Sequence, residues 1–199
     1  MPKKQIRPAF ESTRFLLRLY RASDYNAWTS AYMSMEAKRN EFDLDRKTPK
    51  ELRKPEFLKF VKKNQELAKS GEIYHFGVFE KKTGRLMGFV LLALVLRYNV
   101  QSARLSYTIF NTYWKHGYGL ESAEATIRFA FNKLKLHRLE AEILPTNRSS
   151  LALAKKLGFQ YEGIRRGAVF MNGKWHDHAA YALLAEDRGV RSTRPSIFS

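Results

Sequence analysis

The stretch from Ile109 to Leu144 limits the fold more than any other part of this 199-residue chain. The segment IFNTYWKHGYGLE (Ile109–Glu121) leaves a strand, passes through a loop with two glycines and enters a long helix. That helix is predicted over Gly117–Leu134, with Leu120, Ala123, Ile127, Phe129, Ala130 and Leu134 at helical spacing, and Arg138–Leu144 follows as a strand. A strand, a crossover helix and a second strand bring the chain back for parallel pairing, which a tight hairpin cannot do. The sheet must therefore contain a parallel step across Ser102–Leu144.

The flanking elements are shorter. Thr13–Arg21 alternates as a strand with Phe15, Leu17 and Leu19 on one face, and Asp24 is placed to cap a helix to about Met35. Phe57, Phe60 and Val61 give helical spacing to a segment that runs to Ser70 and is ended by Gly71. Ile73–Glu80 and Leu86–Leu96 form a hairpin about Lys82–Gly84, and Ser102–Phe110 is the next strand. Asn147–Leu157 is a short helix closed by Gly158, and Gly163–Phe170 and Lys174–Leu184 pair about Asn172-Gly173. The order specifies a single α/β domain over 10–186 with a mixed sheet, antiparallel early. A basic N-terminal extension (1–9) and a basic C-terminal tail (187–199) flank it.

Composition narrows the chemistry. A net charge of +17, from 36 Lys and Arg against 19 Asp and Glu, calls for an anionic ligand, nucleic acid or anionic surface as partner. With no cysteine, disulfides, thiolate metal sites and acyl-cysteine intermediates are excluded. The longest apolar stretch, Met87–Leu96, is too short to span a bilayer, and the basic start lacks the apolar core of a signal peptide. The expectation is a cytoplasmic protein with no membrane partner.

The two-glycine loop opens a helix, and a helix N-terminus approached through glycine offers unpaired N–H groups to phosphate. It has neither the Lys-Ser/Thr pair nor the third glycine of the common nucleotide motifs, and such a loop also serves as a plain turn. Glu140 and Glu142 share one face of their strand, which fits either an open groove or a solvated edge. Seven Lys and Arg between 47 and 63 mark a solvated helix face or an anion-docking surface. His176 and His178 have a spacing compatible with metal, yet no further ligands cluster with them, and no metal is expected.

YWKHGYGLESA (Tyr113–Ala123), followed by ILPTNRSSLALAKKLGFQYEG (Ile143–Gly163), resembles the GNAT acetyltransferases of the RimJ/RimL type, which acetylate protein amino termini. The opening TRFLLR (Thr13–Arg18) with Asp24 and the ending NGKWHD (Asn172–Asp177) before Tyr181 are similar to the same subgroup. The resemblance implies a GNAT-like domain with a central mixed, mostly antiparallel sheet flanked by helices, and acetyl-CoA as co-substrate. It implies that the backbone of Thr108, Ile109 and Phe110 pairs with the pantetheine arm, and that the loop Lys115, His116, Gly117, Tyr118 and Gly119 wraps the pyrophosphate. Trp114 stands where the family usually has Arg or Gln, so that charge is absent. Asn147 matches a residue that contacts pantetheine or acceptor, and it is also a good helix cap. Lys155 is a candidate for the nucleotide phosphates, as is its neighbour Lys156. Glu142, five residues before Asn147, occupies the place of a catalytic base. Many relatives carry a tyrosine where this chain has Ala154, which leaves Ser150 as the candidate partner of the departing thiolate. Asp177 matches an acid near the acceptor, and Glu140, which shares the face of Glu142, is a second candidate for substrate binding.

The implied function is transfer of acetyl from acetyl-CoA to a primary amine, foremost the N-terminal α-amine of a protein such as a ribosomal protein. A small-molecule amine acceptor, or an RNA-docking protein with a vestigial acetyl-CoA site, are the alternatives. Ribosome or RNA docking through the basic surface would accompany the first.

Overall fold

A computed structural model of the chain describes residues 8–191. Eight strands and four α-helices follow one another as β1 (Ala9–Glu11), β2 (Phe15–Leu19), α1 (Tyr25–Met33), α2 (Lys54–Ser70), β3 (Tyr74–Glu80), β4 (Leu86–Leu96), β5 (Ser102–Ile109), α3 (Tyr118–Asn132), β6 (Arg138–Ile143), α4 (Arg148–Lys156), β7 (Gln160–Met171) and β8 (Lys174–Leu184). The strands are ordered β1-β2-β3-β4-β5-β6-β8-β7. The expected parallel step is present: Ser102, Ala103 and Arg104 pair with Arg138, Leu139 and Glu140. The pairings β1–β2, β2–β3, β3–β4, β6–β8 and β7–β8 are antiparallel. This is the mixed, mostly antiparallel sheet with flanking helices that the resemblance implies, with the parallel step that the residues themselves require.

The chain forms two compact units, one of residues up to Ala93 with Ser106–Thr126, the other of Leu94–Leu105 with residues from Ile127 onward. In the first, α2 buries Phe57 and Val61 and turns its lysines outward. Phe57 is fully enclosed, with the Trp28 ring 4.9 Å away, in a cluster that also holds Tyr20, Ala31, Met35, Phe79, Leu86 and Phe110. Phe60 is only half-buried against it. Gly71 ends α2 at φ 79°, as its position in the sequence requires.

Two local expectations are corrected. Asp24 does precede α1, but its carboxylate makes no cap bond to that helix. It accepts instead from the Arg21 N–H at 2.8 Å and from both terminal nitrogens of Arg18, at 2.7 and 2.8 Å. A buried carboxylate gains more from a two-pronged guanidinium than from a single amide. Ala9–Glu11, to which the sequence reading gives no element and whose first residue it leaves in the extension, is a strand, because three residues carry no readable period and β2 supplies the pairing. Of the two basic ends, residues 1–7 and 192–199 lie outside the described residues.

In the second unit, β6 contributes Leu139 and Ile143 to an apolar interior that also contains Leu157, Phe159 and Leu183. The β7–β8 hairpin turns at Asn172-Gly173 with φ 52° and 78°, the left-handed pair such a two-residue turn demands. Among the described residues no helix is long and apolar enough to cross a membrane.

Candidate active site

The two-glycine loop lies in the first unit. Lys115 and Gly117 have φ 68° and 74°, and α3 starts at Tyr118. The first bond of its ladder runs from the Glu121 N–H to the Gly117 carbonyl at 3.1 Å. The N–H groups of Tyr118, Gly119 and Leu120 therefore precede the ladder, at the positive end of the helix dipole. Lys115, His116 and Gly117 are exposed, and a side chain at Gly117 would have to adopt the left-handed backbone. An anion such as a pyrophosphate fits this arrangement of donors.

Arg14, which the sequence does not single out, braces the loop. Its backbone N–H and its Nε donate to the two oxygens of Glu121, at 2.7 and 2.5 Å, and Nη1 donates to the His116 carbonyl at 3.2 Å. Its guanidinium lies over the Tyr118 ring, 4.6 Å from the centroid. Burial raises the Glu121 pKa, but the hydrogen bonds from Arg14 and Ser12 and the charge of Arg14 together hold that carboxyl below its ordinary range.

The strand entering the loop is fixed by a close approach. A Cβ on Gly88 would lie 2.1 Å from the Thr108 carbonyl oxygen, so β4 must carry glycine there. The Phe110 N–H donates to the Met87 carbonyl at 3.0 Å. Thr108 and Phe110 thus turn their backbone groups toward Met87–Gly88, and strand alternation turns those of Ile109 to the opposite edge. Trp114 donates its indole N–H to the Ile109 carbonyl at 2.7 Å.

In the second unit Asn147 caps α4, its Oδ1 accepting from the Ser150 N–H at 3.1 Å and from the Ser149 hydroxyl at 2.9 Å. Ser150 is half-buried in the first turn. Lys155 and Lys156 are exposed in the last turn of α4, where their positive charge complements the negative end of the dipole. Lys155 is eight residues from Asn147, about 12 Å along a helix, so the two are not brought together.

The two glutamates of β6 part company. Glu140 accepts from Arg138 Nε at 2.9 Å, and Arg138 also forks onto Glu162, at 2.8 and 2.5 Å. This network lowers the Glu162 pKa, chiefly through the Arg138 hydrogen bond, and raises that of Arg138. Glu142 instead meets Arg104 Nη2 at 2.6 Å, Arg165 Nη1, and His178 Nδ1 at 3.4 Å. Asp177 accepts from the Gly167 N–H at 2.8 Å across the bulge of β7. Sequence reading missed Arg104, Arg165 and His178 as neighbours of Glu142. Strand parity puts each on a face, but only strand order puts them beside one another. Among the described residues no group of three or more His, Cys, Asp or Glu is placed to hold a metal ion.

Residues 14–160 match the Acetyltransferase (GNAT) domain family. The chain is 37% identical over 129 residues to the Probable N-acetyltransferase YjcK of Bacillus subtilis, covering 65% of this chain and 71% of that one. It is 30% identical over 122 residues to the [Ribosomal protein uS5]-alanine N-acetyltransferase of Escherichia coli, covering 61% of this chain and 63% of the relative. Among solved structures, Mycobacterium smegmatis RimJ in complex with CoA-disulfide superposes with a TM-score of 0.78 at 21% identity, over 92% of this chain and 90% of that one. On the match of residues 14–160, the chain belongs to the GNAT acetyltransferases, which are acetyl-CoA-dependent transferases.

Proposed function

We propose that the chain acetylates the N-terminal α-amine of a protein, with a basic ribosomal protein as the acceptor. The similarity to the uS5-alanine enzyme carries this reading. Amine chemistry agrees with it: an α-amine with a pKa of about 7.7–8.0 is roughly a tenth neutral at pH 7, whereas a lysine amine near 10.4 is neutral in well under one molecule in a thousand. Polyamines and aminoglycosides are polycations, which a chain of net charge +17 repels. On this reading the Lys115–Gly119 loop and the first turn of α3 hold the pyrophosphate of acetyl-CoA, and Arg14 keeps them in place. The pantetheine arm pairs with the Ile109 edge of β5. Glu142 and Asp177 serve the acceptor side, Asn147 and Ser150 the thioester, and Lys155 the nucleotide. The test is incubation of the whole protein with acetyl-CoA and a panel of ribosomal proteins, their N-terminal peptides and small amines, with products read by mass spectrometry. Acetyl should appear on an α-amine; acetyl confined to polyamines or aminoglycosides would overturn the reading.

A basic enzyme meets a basic substrate most readily when both dock on RNA. Lys54, Lys59, Lys62, Lys63 and Lys69 are exposed along α2, while its apolar residues Phe57 and Val61 are buried. The outward face is therefore an electrostatic surface without stacking rings. Reversing Lys59, Lys62 and Lys63 to Glu is expected to abolish binding to ribosomal RNA and to leave turnover of a short neutral peptide within about twofold. The reach of such charges is about 8 Å at 0.15 M salt. RNA affinity that is unchanged across a salt series would leave α2 a solvated face.

A further inference from the structure

Among the described residues, Glu142 is the most enclosed charged group of the second unit's ion pairs, its side chain only 7% exposed, and three strands send a side chain to it. From β5, Arg104 reaches Oε1; from β7, Arg165 reaches the same oxygen; from β8, the imidazole of His178 faces Oε2. A carboxylate offers about four lone-pair sites, and three are engaged here. Two guanidiniums compensate the buried charge, and the oxygen they leave is the one facing the imidazole. His178 is itself 15% exposed. His176, on the same face two residues away, is used differently: its Nε2 lies 3.1 Å from the Met171 carbonyl, inside the hairpin.

We propose that His178 is the base that takes the proton of the acceptor amine, with Glu142 as a positioning residue that fixes the imidazole through Nδ1. An imidazole whose Nδ1–H is given to a carboxylate presents a lone pair at Nε2. The 3.4 Å separation is long for a hydrogen bond, as catalytic contacts are before substrate binds. The inference rests on the acetyl-transfer reading above. The acceptor's ammonium gives one proton to Nε2, and the freed nitrogen lone pair forms the C–N bond to the thioester carbonyl carbon. The C–S bond breaks with its electron pair on sulfur, the second nitrogen proton ends on that sulfur, and His178 returns its proton to water. One ammonium and one acetyl-CoA thus give one amide, one thiol and one proton. The charges facing His178 are Glu142 from β6, with Arg104 from β5 and Arg165 from β7 behind it.

The experiment uses the whole protein and the best peptide of the acceptor panel. His178→Gln and His178→Ala are expected to lower kcat by about 100-fold at pH 7, the lower end for loss of a general base. Their affinity for acetyl-CoA, read by calorimetry, should stay unchanged. The deficit should shrink as pH rises, because the amine then deprotonates unaided, and added imidazole should restore part of the rate to His178→Ala. Glu142→Gln should lower kcat too, but combined with His178→Ala it should add nothing. A kcat and pH profile within twofold of the unmodified protein in both His178 variants would overturn the proposal. Nitrogen NMR of the His178 ring in the unmodified protein is a readout independent of turnover and of how the variants fold. The Nδ1–H form is expected, and the Nε2–H form would overturn the assignment. Acetyl-CoA binding without turnover of any amine, with the Nδ1–H form present, would instead count against the acceptor reading and leave the His178–Glu142 pairing standing.

Discussion

Gly119→Glu is expected to abolish acetyl-CoA binding, by at least about 100-fold or about 2.7 kcal/mol, while the protein stays folded. Gly119 lies in the first turn of α3, where the N–H groups of Tyr118, Gly119 and Leu120 precede the first ladder bond at Glu121. A glutamate there places a carboxylate where the phosphate oxygens would sit and adds bulk to the approach. Charge-assisted hydrogen bonds are worth about 1.5–3 kcal/mol each, so losing two suffices for the effect. The helix itself does not suffer. Replacing glycine inside a helix gains up to about 1 kcal/mol, and an acidic first turn complements the dipole, as Glu121 already does. Calorimetry with acetyl-CoA should therefore show no heat, and thermal unfolding should show an unchanged or higher midpoint. Unchanged affinity would mean that the pyrophosphate is held elsewhere.

Lowering the pH from 7 to 5 is expected to cost the protein about 2 kcal/mol of stability through His75 alone. His75 sits on β3 with the rings of Tyr20, Phe60 and Phe89 at 5.6, 5.3 and 4.8 Å, and its buried Nε2 has no hydrogen-bond partner. Burial lowers its pKa from 6.5 to about 4, because the charged ring cannot be solvated there. Below 6.5 the unfolded chain takes up a proton that the folded chain refuses. The contribution is therefore complete above pH 6.5 and is lost as pH falls toward about 4, about 3 kcal/mol in all. Glu121 and Glu162, whose pKa values lie below 4.5, act at lower pH and leave this window to the imidazole. Urea unfolding at pH 7 and 5 should show the loss in the unmodified protein and its absence in His75→Phe. Equal losses in the two proteins would place the pH dependence in other groups.

The glycine loop at 115–119 and the surroundings of Asn147 and Glu142 were legible to different depths. Loop 115–119 could be read because its chemistry is local: two glycines and a helix start within a few residues place the N–H groups whatever surrounds them. Arg14 could not be read, since it meets Glu121 across 107 residues and nothing near either residue announces the pairing. Asn147 illustrates both levels. Its capping bond to Ser150 follows from spacing, while its role toward substrate depends on what stands opposite.

The sequence by itself determined the elements whose signals lie within one turn of chain. Helix α2 ends at Gly71, Asn172-Gly173 turns the last hairpin, and the glycine loop leads into α3. Backbone hydrogen bonds to the third or fourth residue set these, so neighbouring residue types suffice. The tertiary structure alone decided which side chains meet. Glycine at position 88 is required by the carbonyl of Thr108, Asp24 turns to Arg18 rather than to its helix, and Glu142 collects partners 38, 23 and 36 residues distant. A strand's alternation states which face a residue takes, but its neighbour on that face comes from the order of strands in the sheet, which long-range pairing sets.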